Sequence, residues 1–570
     1  MSGDAGPRIE RRTAPAAAVA ALRAAGVDPL LARVYAARGV TDAAVLERRL
    51  DRLPDPELLP GLDAAVTRLL AARERGEGIC VLGDYDADGA TGTALAVRGL
   101  RALGFARVEP RVPDRFAHGY GLSPAIVAAL LAEAAPELIL TVDNGVASVD
   151  GVAAARAAGV DVVVTDHHLP GDELPAAAAI ANPRLAAASP LAELAGVGVV
   201  FWLLVALRRA LRDRGEAGEV HLARWLDLVA LGTVADVVPL GDVNRTLVEQ
   251  GLRRMRAGHC CPGIVALAQV AQRDRDRLRA SDLAFALAPR LNAAGRLDDM
   301  ALGVRLLLTD DPGEAQELAE RLDAMNRERR EIEADMNASA LARAAEVPDD
   351  WGLCLHDPAW HPGVVGIVAG RVRERHHRPV VAFAEAGEGL LRGSARSVPG
   401  LHVRDAIERV ATATPGLVRA FGGHAMAAGL TLAVEDLPRF ARAFDAVVRE
   451  RLTEADLARV LLSDGELGPA ELDLATARRL ERGGPWGAAF PEPLFEGVYE
   501  VEDVRVVGAA HVRLRLGRPG LAGLGAIAFG GVERGWDAPP ARVRILHRLE
   551  VNRWRGTEAL QLGVVHLEGA

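Results

Sequence analysis

Between residues 79 and 166 the chain carries three short, largely apolar runs, ICVLG (79–83), ELILTVD (137–143) and DVVVTD (161–166), separated by alanine-rich helical patterns. A strand that is apolar on both faces has no solvent side. Such runs therefore predict a parallel sheet covered by helices above and below. Helices are expected from about Thr91 and about Ser148. In sheets of this kind ligands bind at the carboxyl ends of the strands, so the chemistry belongs just beyond each run.

Those positions are acidic or carry imidazole. The first run leads into DYDADGATGT, with Asp84, Asp86 and Asp88 before Gly89; the second ends at Asp143, before Asn144 and Gly145; the third ends at Asp166, His167 and His168. LVALGTVADVVPL places Asp236 after a further apolar run, which reads as another strand end. Half a calcium loop is visible in the triplet, but an EF-hand needs glutamate at its twelfth position. That position is Leu95, and a strand stands where a helix should precede. A Walker phosphate loop needs lysine, and all 67 basic residues here are arginine. Carboxylates with one or two imidazoles and no thiolate suit manganese or magnesium better than zinc or calcium. Four or more carboxylates over-supply one ion. Two ions clamp the attacking and leaving oxygens of phosphoryl transfer, so the residues by themselves point to a two-metal phosphoesterase.

The rest of the chain reads as further domains. At 570 residues the length prior is about four, at ~150 residues each. Residues 1–76 read as short alanine-rich helices, the last broken by Pro54, Pro56 and Pro60. The catalytic α/β domain is expected over 77–248, and a helical extension ending in a long charged spacer helix (about Asp310 to Glu346) over 249–348. A smaller α/β domain follows over 349–456. Over 457–570 the alternating runs HVRLRL and ARVRILHRLEV predict a small antiparallel barrel or sandwich. LAGVGVVFWLLVAL (194–207) is shorter than the ~20 residues a membrane span needs and reads as a buried helix. The four cysteines form no C-x-x-C pair and the N-terminus lacks a signal-peptide core, so a cytoplasmic protein is expected. The net charge of −10 argues little against nucleic acid, because a binding channel needs only local positive charge.

DYDADG, DNG (143–145), DHH (166–168) and GTVADVVPL (232–240) together resemble motifs I to IV of the DHH phosphoesterase superfamily. Their order is most similar to its bacterial single-strand-specific 5′→3′ DNA exonucleases. PDRFAHGYGLS (113–123), PRLNAAGRL (289–297), GSARS (393–397) and FGGHAMAAG (421–429) extend the likeness, the last two into the DHHA1 domain. WGAAFPEPLF (486–495) resembles the entry to the family's oligonucleotide-binding (OB) barrel.

The resemblance implies two Mn²⁺ or Mg²⁺ ions held by Asp86, Asp88, Asp143, His167 and Asp236, with Asp143 bridging and Asp84 a ligand or a support. His168 would contact the scissile phosphate and Asp166 would orient the imidazoles. Ser394 and Arg396 would hold phosphates. Arg115, Arg290, Arg296 and the Gly422-Gly423-His424 turn are further candidate substrate contacts. Trp554, flanked by arginines, would stack a base or fill the barrel core. The implied activity is two-metal hydrolysis of single-stranded DNA to 5′-mononucleotides in repair and recombination. A helicase and a single-stranded-DNA-binding protein are the implied partners, and the chain would be a monomer away from membranes. A small-substrate DHH phosphodiesterase would need no added barrel. A non-catalytic DHH replication scaffold would have lost ligand positions, and none is missing here.

Overall fold

In the computed structural model, which describes residues 6–113 and 121–570, the apolar runs lie in one parallel sheet. Its strands are β1 (Ile79–Leu82), β2 (Val108–Arg111), β3 (Leu138–Val142), β4 (Asp161–Thr165) and β5 (Ala179–Ala181), in the order β2-β1-β3-β4-β5. Every neighbouring pair is parallel. β1 and β3 are buried along their whole length, which is why they read as uninterrupted. On one face Cys80, Leu82, Ile139 and Val162 pack against Ile126, Val127 and Val152 from helices Pro124–Glu133 and Val149–Ala157.

Helix α1 (Ala87–Ala102) starts four residues before the expected Thr91. The Asp86 carboxylate caps it, accepting from the N–H groups of Asp88 (2.9 Å) and Gly89 (3.0 Å). The triplet is thus half loop, half helix start. α2 (Gly196–Asp213) is the long apolar run. α3 (Leu226–Ala235) corrects the strand reading before Asp236: it is helical, and Asp236 is its C-cap. Nearly all of α3 is buried, and a helix buried all round shows no 3.6-residue period by which to tell it from a strand. Pro54, Pro56 and Pro60 break no helix; they precede one, Leu62–Arg75.

A π-helical turn, Leu283–Leu287, runs into α4 (Ala288–Leu297). The long charged helix, α5 (Pro312–Glu346), is present but is more than a solvated spacer. It buries Ala315, Leu318, Ala319 and Leu322 at one end and Met336, Ala340 and Ala344 at the other. The chain divides within it into two compact units, 11–323 with 462–570, and 324–461 with 6–10.

The second unit holds β6 (Leu353–His356), helix α6 (Val365–His376), β7 (Val380–Glu385), β8 (Leu390–Arg396), β9 (Ala420–Gly423) and β10 (Ala427–Ala433). The sheet order is β9-β10-β8-β7-β6, with only β6 and β7 parallel. Phe383, Phe440 and Phe444 fill its core.

In the first unit, helix α7 (Leu474–Arg482) leads to a closed five-stranded barrel of β11 (Phe495–Val507), β12 (His511–Arg518), β13 (Leu521–Ala528), β14 (Arg542–Trp554) and β15 (Thr557–Gly569). All pairs are antiparallel except β13 with β15, which closes the ring. The N-terminal helix Pro29–Ala36 lends Leu30 and Val34 to the barrel's core. Beside it the Arg38 guanidinium donates twice to the Asp464 carboxylate, at 2.7 and 2.9 Å, with both side chains buried.

Within the barrel His547 is fully buried, with Tyr499 Oη 3.1 Å from its Nε2 and the Arg548 carbonyl 3.3 Å from its Nδ1. Burial lowers its pKa from the ordinary 6.5 to about 4. Above pH 6.5 both folded and unfolded states hold neutral imidazole, so there is no penalty. As pH falls from 6.5 towards 4 only the unfolded state gains a proton, and stability drops by up to ~3 kcal/mol. A urea-melt series over that window should show this loss in the wild type and a flatter profile in His547→Gln.

Candidate metal centre

The site sits at the carboxyl edge of the parallel sheet, and backbone geometry aims each member. Asp143 directly follows β3 with φ of 63°, a left-handed conformation that aspartate tolerates better than most residues. Asn144 braces that turn, its Nδ2 donating to the Leu82 and Val142 carbonyls at 3.2 and 2.9 Å. Asp88, in the first turn of α1, is fully buried. Its carboxylate accepts from the N–H groups of Gly196 (2.6 Å) and Val197 (3.0 Å) at the start of α2. Gly196 is required there, because a Cβ would lie 2.5 Å from that of Asp143.

After β4, Asp166 points inward and collects the N–H groups of Val146 (2.9 Å), His167 (2.8 Å) and His168 (3.1 Å), with His168 Nδ1 at 2.7 Å. His167 Nε2 lies 3.0 Å from Asp143 Oδ1 and 3.6 Å from Asp236 Oδ2. Among the described residues three donor sets have ligand atoms mutually within 4.8 Å: Asp84, Asp86 and Asp143; Asp88, His167 and Asp236; Asp143, His167 and His168. Asp143 is common to two of them.

The electrostatics follow from this crowding. Burial, then the charge of Asp86, pushes the Asp88 carboxyl up to about 7. Burial and the charges of neighbouring aspartates raise Asp143 and Asp236 well above the carboxylate range. Asp166 behaves oppositely. Burial works against its charge, but the His168 hydrogen bond and the backbone donors outweigh it and hold the carboxyl low. His168 is raised in turn: burial opposes its charge, and the hydrogen bond and charge of Asp166 prevail. Oxygen and imidazole donors in three convergent sets, whose carboxylates resist sharing their charge, fit divalent cations.

Asn292 was not among the sequence candidates. From α4 its Oδ1 accepts from Ala87 N at 2.8 Å, while a Cβ on Gly295 would collide with the Tyr85 carbonyl. The PRLNAAGRL motif therefore presses on the acidic loop through Asn292 and Gly295. Arg290 of that motif spends its guanidinium on Asp323 (2.8 Å) and on the Ala286 carbonyl (2.6 Å). This makes it an internal tie where the sequence reading has a substrate contact. Arg296 is half-buried on α4, and Arg115 lies outside the described residues.

In the second unit Arg396 Nη1 donates to Ser394 Oγ at 3.0 Å, and both side chains lie against Gly366 in the first turn of α6. Gly422, Gly423 and His424 lie at the hairpin between β9 and β10, where His424 N donates to the Ala427 carbonyl at 2.7 Å. Trp554 lies outside the barrel core, exposed at the β14–β15 turn with the Arg555 guanidinium 5.7 Å from its ring.

Comparison with known proteins accords with this geometry. The DHH family N-terminal domain matches residues 78–233, the DHHA1 domain 342–450 and the RecJ OB domain 463–566. The single-stranded-DNA-specific exonuclease RecJ of Dickeya dadantii is 51% identical over 554 residues, covering 94% of this chain and 96% of the relative. The chain belongs to the RecJ family. RecJ of Escherichia coli is 50% identical, covering 94% of this chain and 95% of its own length. The crystal structure of RecJ from Thermus thermophilus in complex with Mn²⁺ superposes with a TM-score of 0.83 at 34% identity, covering 99% of this chain and 79% of that one.

For this RecJ-family site the Asp166–His168 pair gives a direct test. Asp166→Asn retains the shape but replaces one acceptor oxygen with a donor facing backbone N–H groups. Loss of a hydrogen-bonding support of this kind costs about 10- to 100-fold in metal affinity or activity. Mn²⁺ titration calorimetry and nuclease rates should both register it.

Proposed function

We propose that the chain is a metal-dependent exonuclease that degrades single-stranded DNA from its 5′ end to 5′-mononucleotides. The observation that carries this is the convergence of Asp84, Asp86, Asp88, Asp143, His167, His168 and Asp236 on one sheet edge in a RecJ-family chain that includes the OB barrel. Asp86, Asp88, Asp143, His167 and Asp236 would hold two ions, Mn²⁺ or Mg²⁺. Asp143 would be shared, because among the described residues it alone joins the Asp84–Asp86 set to the histidines. The presence of Asp84 in the first set favours a ligand role over a purely supporting one. Divalent ions held there would lower the pKa of a bound water and neutralise charge on the scissile phosphate.

The protein's own part is orientation. Asp166 engages Nδ1 of His168 and favours the charged ring; in that form Nε2 would donate to a phosphate oxygen as charge develops. Ser394 and Arg396, preset against α6, would hold a neighbouring phosphate. Arg296 and the Gly422–His424 turn are further contacts in this reading. The domain limits in it are 1–76, 77–248, 249–348, 349–456 and 457–570. The enzyme would act in the cytoplasm as a monomer in repair and recombination, on strands opened by a helicase and covered by a single-stranded-DNA-binding protein. Among the described residues no helix is long and apolar enough to cross a membrane.

With Mn²⁺ present, a 5′-labelled single strand should lose its label first as mononucleotide while a 3′-labelled strand shortens progressively. Early release of the 3′ label would refute the polarity. Asp143→Ala should abolish cleavage, because the ions that activate the water and clamp the phosphate would lose their shared ligand, while strand binding in EDTA stays measurable by anisotropy. Retained cleavage would remove Asp143 from the centre.

A further inference from the structure

Two stretches outside the metal centre meet in the first unit: the N-terminal segment around residues 38–45, and the WGAAF of the barrel entry (486–490). Between them, against the start of helix Asp242–Arg256, lies a cavity of about 310 Å³ whose walls include Thr41, Gly241, Arg245 and Phe490. The barrel-entry loop is fastened there by Leu240, whose N–H donates to the Ala488 carbonyl at 2.8 Å. Small-molecule pockets occupy ~300–1,000 Å³, so the space suits a compact ligand and not a folded partner.

Arg245 is the residue that calls for an occupant. Only 1% of it is exposed, and among the described residues its Nε and Nη2 have no hydrogen-bond partner. Asp242 Oδ1 is 4.0 Å from its Nη1, beyond a hydrogen bond. Its Cζ lies 3.3 Å from the centre of the Phe490 ring, which stacks in turn on Trp486. Burial, then the charge of Arg48, lowers its pKa to about 9. Arg48 is itself buried with Nε unpartnered among the described residues, and Arg38, also on the cavity wall, is taken by Asp464. An aromatic face offsets only part of the cost of desolvating a cation; an anion would offset the rest. Helix Asp242–Arg256 begins at the same wall, and Gly241 offers it no side-chain cap. Such a helix start favours an anion as well.

We propose that this cavity binds a small hydroxylated phosphate monoester, a mononucleotide or a sugar phosphate. Arg245 would take the phosphate in its planar fork, beside the helix start. Glu193 and Asp242, exposed on the rim, would accept hydrogen bonds from the ester's hydroxyls. The same two carboxylates repel a polyanionic strand, so the occupant carries one phosphate and not a chain of them. Bound there, it would join the N-terminal segment, the helix start and the barrel-entry loop. The site needs no divalent ion, so it stands or falls separately from the exonuclease reading.

The test is hydrogen–deuterium exchange of the full chain in EDTA, read at residues 39–45 and 487–490. The probes are inorganic phosphate, thymidine, thymidine 5′-monophosphate and 2-deoxyribose 5-phosphate. Both esters should protect these residues saturably, and thymidine should not. Equal potency of the two esters assigns a sugar phosphate as the recognised unit; a more potent nucleotide assigns a mononucleotide. Arg245→Gln should weaken the protection by about tenfold or more. Because Arg245 is buried, Thr41→Trp is the second probe: Thr41 is exposed on the rim, and the indole would fill the opening with Arg245 still in place. It should abolish protection, and it decides alone if Arg245→Gln does not fold. No protection by either ester, or protection that survives Thr41→Trp, overturns the site. Thymidine acting as well as its 5′-monophosphate refutes phosphate recognition, and inorganic phosphate acting as well as the esters refutes the hydroxyl contacts.

Discussion

Mutual repulsion among buried aspartates is the constraint around which the catalytic half of this protein is organised. Two like charges about 4 Å apart cost ~4 kcal/mol even at an effective dielectric of 20, and here Asp88, Asp143 and Asp236 all meet His167 or one another within a few ångströms. The fold opposes that cost with backbone. Asp88 is pinned by two N–H groups of α2, Asp166 by three from its own loop and its neighbour, and Asp86 by the start of α1. The pins come from separate segments at the sheet edge: the start of α2, the loops after β3 and β4, and the start of α1. A divalent cation completes such an arrangement.

A second constraint ties the distant parts of the chain together. The N-terminal helix, which carries no recognisable motif, supplies core to the barrel through Leu30 and Val34 and a buried ion pair through Arg38 and Asp464. Tyr35 adds a hydrogen bond from its hydroxyl to the Gly483 carbonyl at 2.8 Å. Breaking a buried pair leaves an uncompensated charge, so neither segment can leave without exposing the other's cost. At the surface Arg553 bridges Glu481 and Glu558 at 2.8 and 2.9 Å, and Arg279 and Arg277 lie 3.6 and 3.9 Å from the same two glutamates. The barrel is thereby held in the same compact unit as the metal centre.

Much of the site could be read in advance. Asp84, Asp86, Asp88, Asp143, His167 and His168 follow strands whose apolar runs announce themselves, and a parallel sheet necessarily gathers strand ends on one edge. Asp236 could be singled out too, but its setting could not, because a fully buried helix and a buried strand share one pattern. Asn292 escaped for another reason. Its contact with Ala87 joins positions 205 residues apart, and no local pattern within PRLNAAGRL marks that asparagine. Arg290 is the converse case, a cation whose partner, Asp323, no spacing rule connects to it.

The sequence by itself determined which chemistry is possible. Residue types choose oxygen and imidazole ligands, the runs choose a parallel sheet, and the absence of lysine and of a twelfth-position glutamate removes the other loops. Tertiary structure decided which donors share a centre, that Asp88 is braced by α2 and that Arg290 is spent internally. The reason is physical. Ligand identity and strand burial are local properties, written within a few residues. Convergence, bracing and exposure depend on contacts between segments hundreds of residues apart, and these exist only once the chain has packed.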